Sequence, residues 1–492
     1  RYSCRDCGHR TTQPLPEPRE NSAVEFITDL PPSGVYFFTA AQNATPVHPG
    51  FWKNALAYCE VFGAALVVSG YRYRNPTSVW SGRQSDDEWW APEVVPFLYQ
   101  TRSAVNPILQ FLGDVFTQAT AVRPLTGFES VTGESSCILP HAKIQVRTVP
   151  TPAHRYPKIM MTTGACTLPN YTKTKAGALG EFHHSIAGIV VRISDDGRFS
   201  AQHVIAQKNG AFYDLTESGV VKVENGKVTT GHKLAGLVQG DTHVDYVDPG
   251  VVAATYENDN SIASAGDPNW LVWHDLIDLA SRNRFANDPF IEVAKRRSGA
   301  DSVYDELCRG WKFHDEMTRK KKSAIVPSNH TNSRLQWYMR ETDWRQDPAN
   351  AEFYFETGLQ MLRSLQETTA GPVYDDPFTY WGKKLSKAPN VRFLERDQSF
   401  RIAGIECQYH GDVGPGAARG ASLENMRRIG PKVIFCHTHT PGTEEGAMTG
   451  GTSTRLRLGY NVGPNGWMNS HVGIYPNGKR THIFIMDGSW TY

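Results

Sequence analysis

Apolar and polar positions fall into blocks along this chain. Residues 34–41 are an apolar run of strand length. Residues 51–62 follow with Phe51, Ala55, Leu56, Cys59 and Phe62 at helical spacing, and residues 64–69 are a second apolar run. That order predicts a βαβ unit with a parallel strand pair. The pattern predicts further strands at 159–163, 186–193 and 201–206, and a hairpin over 220–228 that turns at Asn225-Gly226, a dipeptide suited to a type I′ turn. In the second half, apolar runs at 234–238, 270–273, 325–327 and 433–435 each lead into a polar one. These are Gly240-Asp241-Thr242-His243, His274-Asp275-Leu276-Ile277-Asp278, Ser328-Asn329-His330 and Cys436-His437-Thr438-His439, with His410-Gly411-Asp412 between the last two. Strands of an α/β sheet that carry Asp, Asn and His at their carboxyl ends can aim those groups at one point.

Composition narrows the class. A chain of 492 residues exceeds one simple core, and two or three domains are expected. Lys and Arg total 51 against 50 for Asp and Glu, a net charge of +1, so attraction to a polyanion must come from local patches. No run approaches the ~18 apolar residues of a membrane span, so no membrane partner is expected. The opening Arg-Tyr-Ser-Cys-Arg-Asp-Cys is no secretory signal, and the 8 cysteines show no framework spacing apart from Cys4 and Cys7. The expectation is a reducing, cytoplasmic location.

The patterns divide the chain in three. In residues 1–30, Cys4-Arg5-Asp6-Cys7-Gly8 places two thiolates where both reach one tetrahedral Zn²⁺, followed by a proline-bearing linker. The run resembles half of a transposase-type zinc ribbon, and a structural Zn²⁺ there is expected; a free thiol pair is the alternative. Residues 31–230 read as an α/β region of unassigned role. Residues 231–492 carry the polar runs, with a helix-rich insert at about 288–370, where a specificity or homo-oligomer element is expected.

Taken in order, the polar runs resemble the calcineurin-like metallophosphoesterases, whose motifs are D-x-H, GDxxD, GNH[DE], a lone H and GHxH. The resemblance covers about residues 232–492. It implies a fold of the α+β class, a β-sandwich flanked by helices, with the ligands on loops at one edge. It further implies that Asp241, His243 and His439 bind one metal ion, that Asn329, His410 and His437 bind a second, and that Asp275 bridges them. His330 would meet the leaving group, and Asp278 would support the ligands from behind. Carboxylate, imidazole and amide oxygen suit Mn²⁺ foremost, with Fe²⁺ and Zn²⁺ sharing the donor set. Two such ions acidify a shared water and neutralise phosphoryl oxygens, and His330 protonates the departing oxygen. Taken singly, each residue has a structural alternative: His410 a buried core histidine, Asp275 a helix cap, Asn329 a turn residue.

The chain departs from the family pattern. His274, Ser328 and Cys436 stand where the family has glycine, and the reading requires that none of these positions needs a positive φ. Thr331 replaces the acid after the GNH histidine, which removes the usual carboxylate partner of His330. Arg334 could bind phosphate instead or lie on a helix surface. Cys436 reads as a core cysteine more than as a ligand. Basic runs Arg296-Arg297 and Lys320-Lys321-Lys322 are the candidate nucleic-acid contacts, the second expected near the metals. With the zinc knuckle, they resemble the nuclease branch of the superfamily, including phage nucleases that degrade host DNA, and imply DNA as partner and the bacterial host cytoplasm as location. The expected function is a two-metal DNA phosphodiesterase. The alternatives are a phosphatase or small-molecule phosphodiesterase, and a non-catalytic DNA-binding scaffold with a degenerate metal site.

Overall fold

Period-two alternation shapes the second half of the molecule into stacked layers. In this computed structural model, residues 27–73, 89–283, 288–369 and 371–492 are described, together with the backbone pairing of Tyr2–Ser3 with Arg10–Thr11. The knuckle cysteines Cys4 and Cys7 lie outside the described residues.

A six-stranded sheet runs in the order Val391–Phe393, Lys322–Ile325, Trp270–Trp273, Gly236–Val238, Ser470–Ile474, Arg480–Phe484. Its first four strands are mutually parallel, and the last two join as an antiparallel hairpin. Leu237, Leu271, Trp273 and Ile325 point to one face, against the helices Val303–Thr318, Leu335–Glu341 and Pro377–Leu385. Val238, Val272 and Ala324 point to the other face, where they meet Ile402, Ile405, Ile434 and Met448 of a second sheet. Strands buried on both faces read as continuous apolar runs, which is why Trp270–Trp273 and Val433–Phe435 are found at their expected positions.

That second sheet has ten strands, and it runs across the boundary expected near residue 230. Gly442–Glu444 pairs antiparallel with Gln145–Val149, so strands from 102–162 continue the layer begun by strands from 401–449. Arg123 pairs with Glu444, and Lys143 with Glu445 at 3.1 Å, across the same seam. The N-terminal part of the sheet packs in turn on a four-stranded sheet through Phe38, Phe111, Ile138, Met161 and Ile189.

The predicted βαβ unit is present: Val35–Gln42 and Ala65–Tyr71 pair in parallel across the helix Pro49–Phe62. Strands Lys158–Thr162, Ala187–Ile193 and Phe199–Ile205 also match expectation, and Asn225 and Gly226 turn their hairpin with φ of 55° and 76°. The fold is of the α+β class. Among the described residues, no helix is long and apolar enough to cross a membrane.

The span expected as an insert, about 288–370, is part of the core instead. Lys322–Ile325 within it is an interior strand of the six-stranded sheet, and the helix Val303–Thr318 is the crossover leading to it. Ser302 caps that helix, and Asp305 and Glu306 sit in its first turn, where the helix dipole favours them. The helix Ala351–Arg363 buries Phe353 but leaves Phe355, Leu359 and Leu362 exposed.

The shared sheet makes residues 231–492 dependent on the N-terminal half. Expressed alone, they present the edge of Gly442–Glu444 unpaired and are expected to aggregate, because an open strand edge templates further pairing. Co-expression with residues 1–230 should return a monodisperse complex by size-exclusion chromatography. A monomeric fragment with its own cooperative melt would contradict this.

Candidate metal centre

The parallel strands Gly236–Val238, Trp270–Trp273 and Lys322–Ile325 all end at the same edge of their sheet, and the runs that follow them carry Asp241 with His243, Asp275 with Asp278, and Asn329 with His330. From the facing sheet, Val433–Phe435 leads into His437 and His439, and the chain after Ile405–Glu406 leads into His410. Backbone hydrogen bonds tie these loops to one another. His243 N donates to Asp275 O at 2.7 Å, Thr242 N to His274 O at 3.1 Å, and Cys436 N to His410 O at 2.8 Å.

The side chains converge. Asp241 Oδ2 lies 3.1 Å from His439 Nε2, and that nitrogen lies 3.3 Å from His243 Nε2. On the other side, His410 Nε2 is 3.1 Å from Asp275 Oδ2 and 3.1 Å from Asn329 Oδ1. Asp275 stands between the two sets, since its Oδ2 is also 3.6 Å from His243 Nε2. Donor atoms on one first-row ion, at bond lengths of about 2.0–2.2 Å, sit about 3–3.6 Å apart, so these spacings fit a shared cation.

Unsatisfied atoms carry the same message. Asp241 Oδ1 and both oxygens of Asp275 are buried without a hydrogen bond, and His439 Nδ1 and His274 Nε2 are orphaned with them. The His410–Asp275 approach is an ion-pair distance without hydrogen-bond alignment. Buried carboxylates in this state need a cation, because an uncompensated charge in the interior is strongly unfavourable. Protein groups supply part of it. Burial works against charge on His410, but the carboxylates of Asp275 and Asp241 outweigh it and push the ring up to about 9. Burial also opposes ionisation of Asp275, and the rings of His410 and His330 overcome it and hold the carboxyl well below its usual value. At His243 burial outweighs the carboxylates of Asp275 and Asp278 and pushes the ring down to about 4, the neutral form a metal ligand requires.

His330 lies beside the ligands, where it forms with His243 and Asp278 a further group able to hold a cation. Its Nδ1 lies 2.9 Å from Asp278 Oδ1 and 2.9 Å from Asp278 O, which leaves Nε2 facing Asp275 Oδ2 at 3.8 Å. Asp278 thus supplies the carboxylate partner that Thr331 had put in doubt. Thr331 instead forms a reciprocal capping box with Ser328 at the start of the π-helical turn Asn329–Arg334. Arg334 donates to Asp278 O at 2.6 Å and approaches Asp278 Oδ2 at 3.3 Å, both through Nη1, so it anchors Asp278 and does not simply lie on a helix surface.

Other expectations need correcting. His437 approaches through its backbone, whose N–H donates to Asp241 Oδ2 at 2.8 Å, while its ring packs 5.1 Å from that of His410. The Lys320-Lys321-Lys322 run is at the far end of the strand that leads to Asn329. Lys321 is paired there with Asp267 at 2.5 Å, and Lys322 lies 5.6 Å over the Trp270 ring. A parallel strand carries its two ends to opposite sheet edges, so this run and the site are apart. Arg296 and Arg297 occupy the exposed last turn of the helix Pro289–Ser298, where they complement its dipole. Cys436 donates its thiol to Gln239 O at 3.3 Å, as a core cysteine does, although it forms a third ligand-like group with Asp241 and His274.

Sequence reasoning missed His274 as a donor, since it was read only as a lost glycine. It also missed Trp467, whose ring lies 4.1 Å from that of His439. No signal marks Trp467 in the sequence, because it lies beyond the last polar run.

Metal should stabilise this cluster. Adding Mn²⁺ at about a hundredfold over its Kd contributes roughly 2.7 kcal/mol, so Tm should rise and chelation should reverse the gain. Asp275→Asn should abolish the Mn²⁺-dependent rise. A thermal shift unchanged by Mn²⁺, Fe²⁺ and Zn²⁺ in the wild type would rule out the centre.

No protein-family model matches the chain. Protein A1 of Escherichia phage T5 is 31% identical to it over 473 residues, which cover 92% of this chain and 82% of that protein. Similarity of that extent, spanning both halves and all the polar runs, places the chain in the family of Protein A1 of Escherichia phage T5.

Proposed function

We propose that this chain is a metal-dependent phosphodiesterase of the calcineurin-like type that cleaves DNA, acting in the cytoplasm of a phage-infected bacterium. The observation that carries the reading is the buried carboxylate of Asp275, without hydrogen bonds and faced by His243 on one side and His410 on the other. Asp241, His243 and His439 would hold one ion with Asp275, and Asn329 and His410 would hold the second with it. His437 keeps Asp241 in place through its backbone N–H. Bound there, divalent cations such as Mn²⁺ supply charge neutralisation and an acidified water.

The chain's own residues account for the proton. Burial opposes charge on His330, but the carboxylates of Asp275 and Asp278 outweigh it and raise the ring's pKa above its ordinary value, which favours the imidazolium. With Nδ1 fixed on Asp278, the proton available to a leaving oxygen sits on Nε2. Arg334 keeps Asp278 in position, and Asp278 also meets His243 Nδ1 at 3.3 Å, so one carboxylate orients both the acid and a ligand. Support for DNA comes from the zinc-ribbon-like run at Cys4 and Cys7 and from the phage family, and no longer from the lysine run.

The test is incubation of the full chain with linear and circular DNA plus Mn²⁺, with and without chelator. Cleavage abolished by chelator is expected. His330→Ala should lower kcat on DNA by about 10²–10⁴-fold, because the departing sugar oxygen needs a proton. The same variant should lose far less on bis-p-nitrophenyl phosphate, whose leaving group departs as a stable anion. Turnover of phosphate esters without DNA cleavage would select the phosphatase reading, and DNA binding with no hydrolysis would select a scaffold.

A further inference from the structure

Beyond the ligand cluster, the loop between Thr454 and Met468 rises beside the site. Its return strand places Met468 N on His439 O at 3.2 Å, and the neighbouring Trp467 sets its ring edge-on to His439, with centroids 4.1 Å apart. Tyr460 stands next to Trp467 at 6.0 Å between ring centroids, at an angle of 70°. Tyr460 is 62% exposed, which is unusual for a large aromatic that has a partner ring beside it.

The loop is braced, so its aromatics are presented and not merely tethered. Arg457 donates to Asn461 O at 3.3 Å, to Gly463 O at 2.6 Å and to Thr151 O at 3.0 Å. Asn461 accepts from Leu458 N at 2.9 Å and donates to Leu456 O at 2.9 Å. Thr151 and Asn465 exchange backbone bonds of 2.9 and 3.3 Å. A ring fixed this way loses little entropy when something stacks on it. The Tyr460 hydroxyl feels the site directly: partial burial and then the carboxylates of Asp278, Asp275 and Asp241 push it up to about 12, with Arg334 opposing.

We infer that Tyr460, set beside the ligand cluster by Trp467, is the platform on which a nucleobase of the substrate stacks while the adjoining phosphate enters the site. The inference rests on the phosphodiesterase reading and deepens it. The lysine run is at the far end of the strand that leads to Asn329, and an exposed aromatic face can hold a single-stranded base regardless of its identity. The occupant is a nucleobase, from a strand or from a free nucleotide.

Binding and turnover test it separately. Fluorescence anisotropy with chelator present compares a labelled single-stranded oligonucleotide, a same-length strand of abasic residues and, by competition, a mononucleotide. Wild type should bind the base-bearing strand about tenfold more tightly than the abasic one, the scale of one stacked base, and Tyr460→Ala should erase that preference while Tyr460→Phe keeps it. In Mn²⁺, the loss in Tyr460→Ala should appear in KM for the base-bearing strand and not in kcat. Competition by the mononucleotide would identify the free nucleotide as a source. If wild type shows the preference but cleaves nothing, the platform stands and the phosphodiesterase reading fails. If Tyr460→Ala keeps the preference, or if wild type has none, the platform is wrong whatever the cleavage assay shows.

Discussion

One buried carboxylate sets the terms for this molecule. Asp275 is 1% exposed, makes no hydrogen bond with either oxygen, and lies between imidazoles drawn from separate loops. A charge in that state is tolerable only with positive charge close by, which the rings of His410 and His330 begin to supply and a bound cation would complete. Its own loop cannot supply those rings, so strands from both sheets must end at the same edge of the sandwich. The parallel order of Gly236–Val238, Trp270–Trp273 and Lys322–Ile325 follows that demand, and so does the placing of Val433–Phe435 opposite them.

The backbone is strained at the same place. His243, Asp275, His437 and His439 adopt φ values of 43°, 42°, 73° and 56°, a region that non-glycine residues seldom visit. Each such residue costs about 1–3 kcal/mol, and four together persist only because the surrounding loops are bonded to one another. The strain falls on three of the candidate ligands and on His437, whose backbone N–H holds Asp241. His274, Ser328 and Cys436, which stand where the calcineurin-like metallophosphoesterase motifs have glycine, lie outside the left-handed region, with Ser328 at φ −134°. Side chains at those positions therefore add no such strain.

Much of this was legible in the residues. The strands leading to the site are short apolar runs with a polar end, and the period of two assigns their faces unaided: Leu271 and Trp273 to the helices, Val272 to the other sheet. Other features were not legible, for identifiable reasons. Sequence proximity of Lys320–322 to Asn329 suggested nearness in space, but a strand in between carries its ends to opposite edges. Thr331 suggested a histidine without a partner, yet Asp278, distant in sequence, takes that place. Helical periodicity on both sides of Lys322–Ile325 suggested an insert, although crossover helices of a parallel sheet produce the same pattern.

The sequence by itself determined which residue types exist to hold a cation, which apolar runs precede them, and the type of each element, because these depend on side-chain chemistry and on periods of 2 and 3.6 residues. Only the tertiary structure decided that Asp275 faces both donor sets, that Arg334 serves Asp278, that His437 contributes its backbone, and that one sheet unites the two halves of the chain. Those are relations between segments far apart along the chain. They arise from which strand edges pair and which loops share an end of the sandwich, and local pattern carries no record of either.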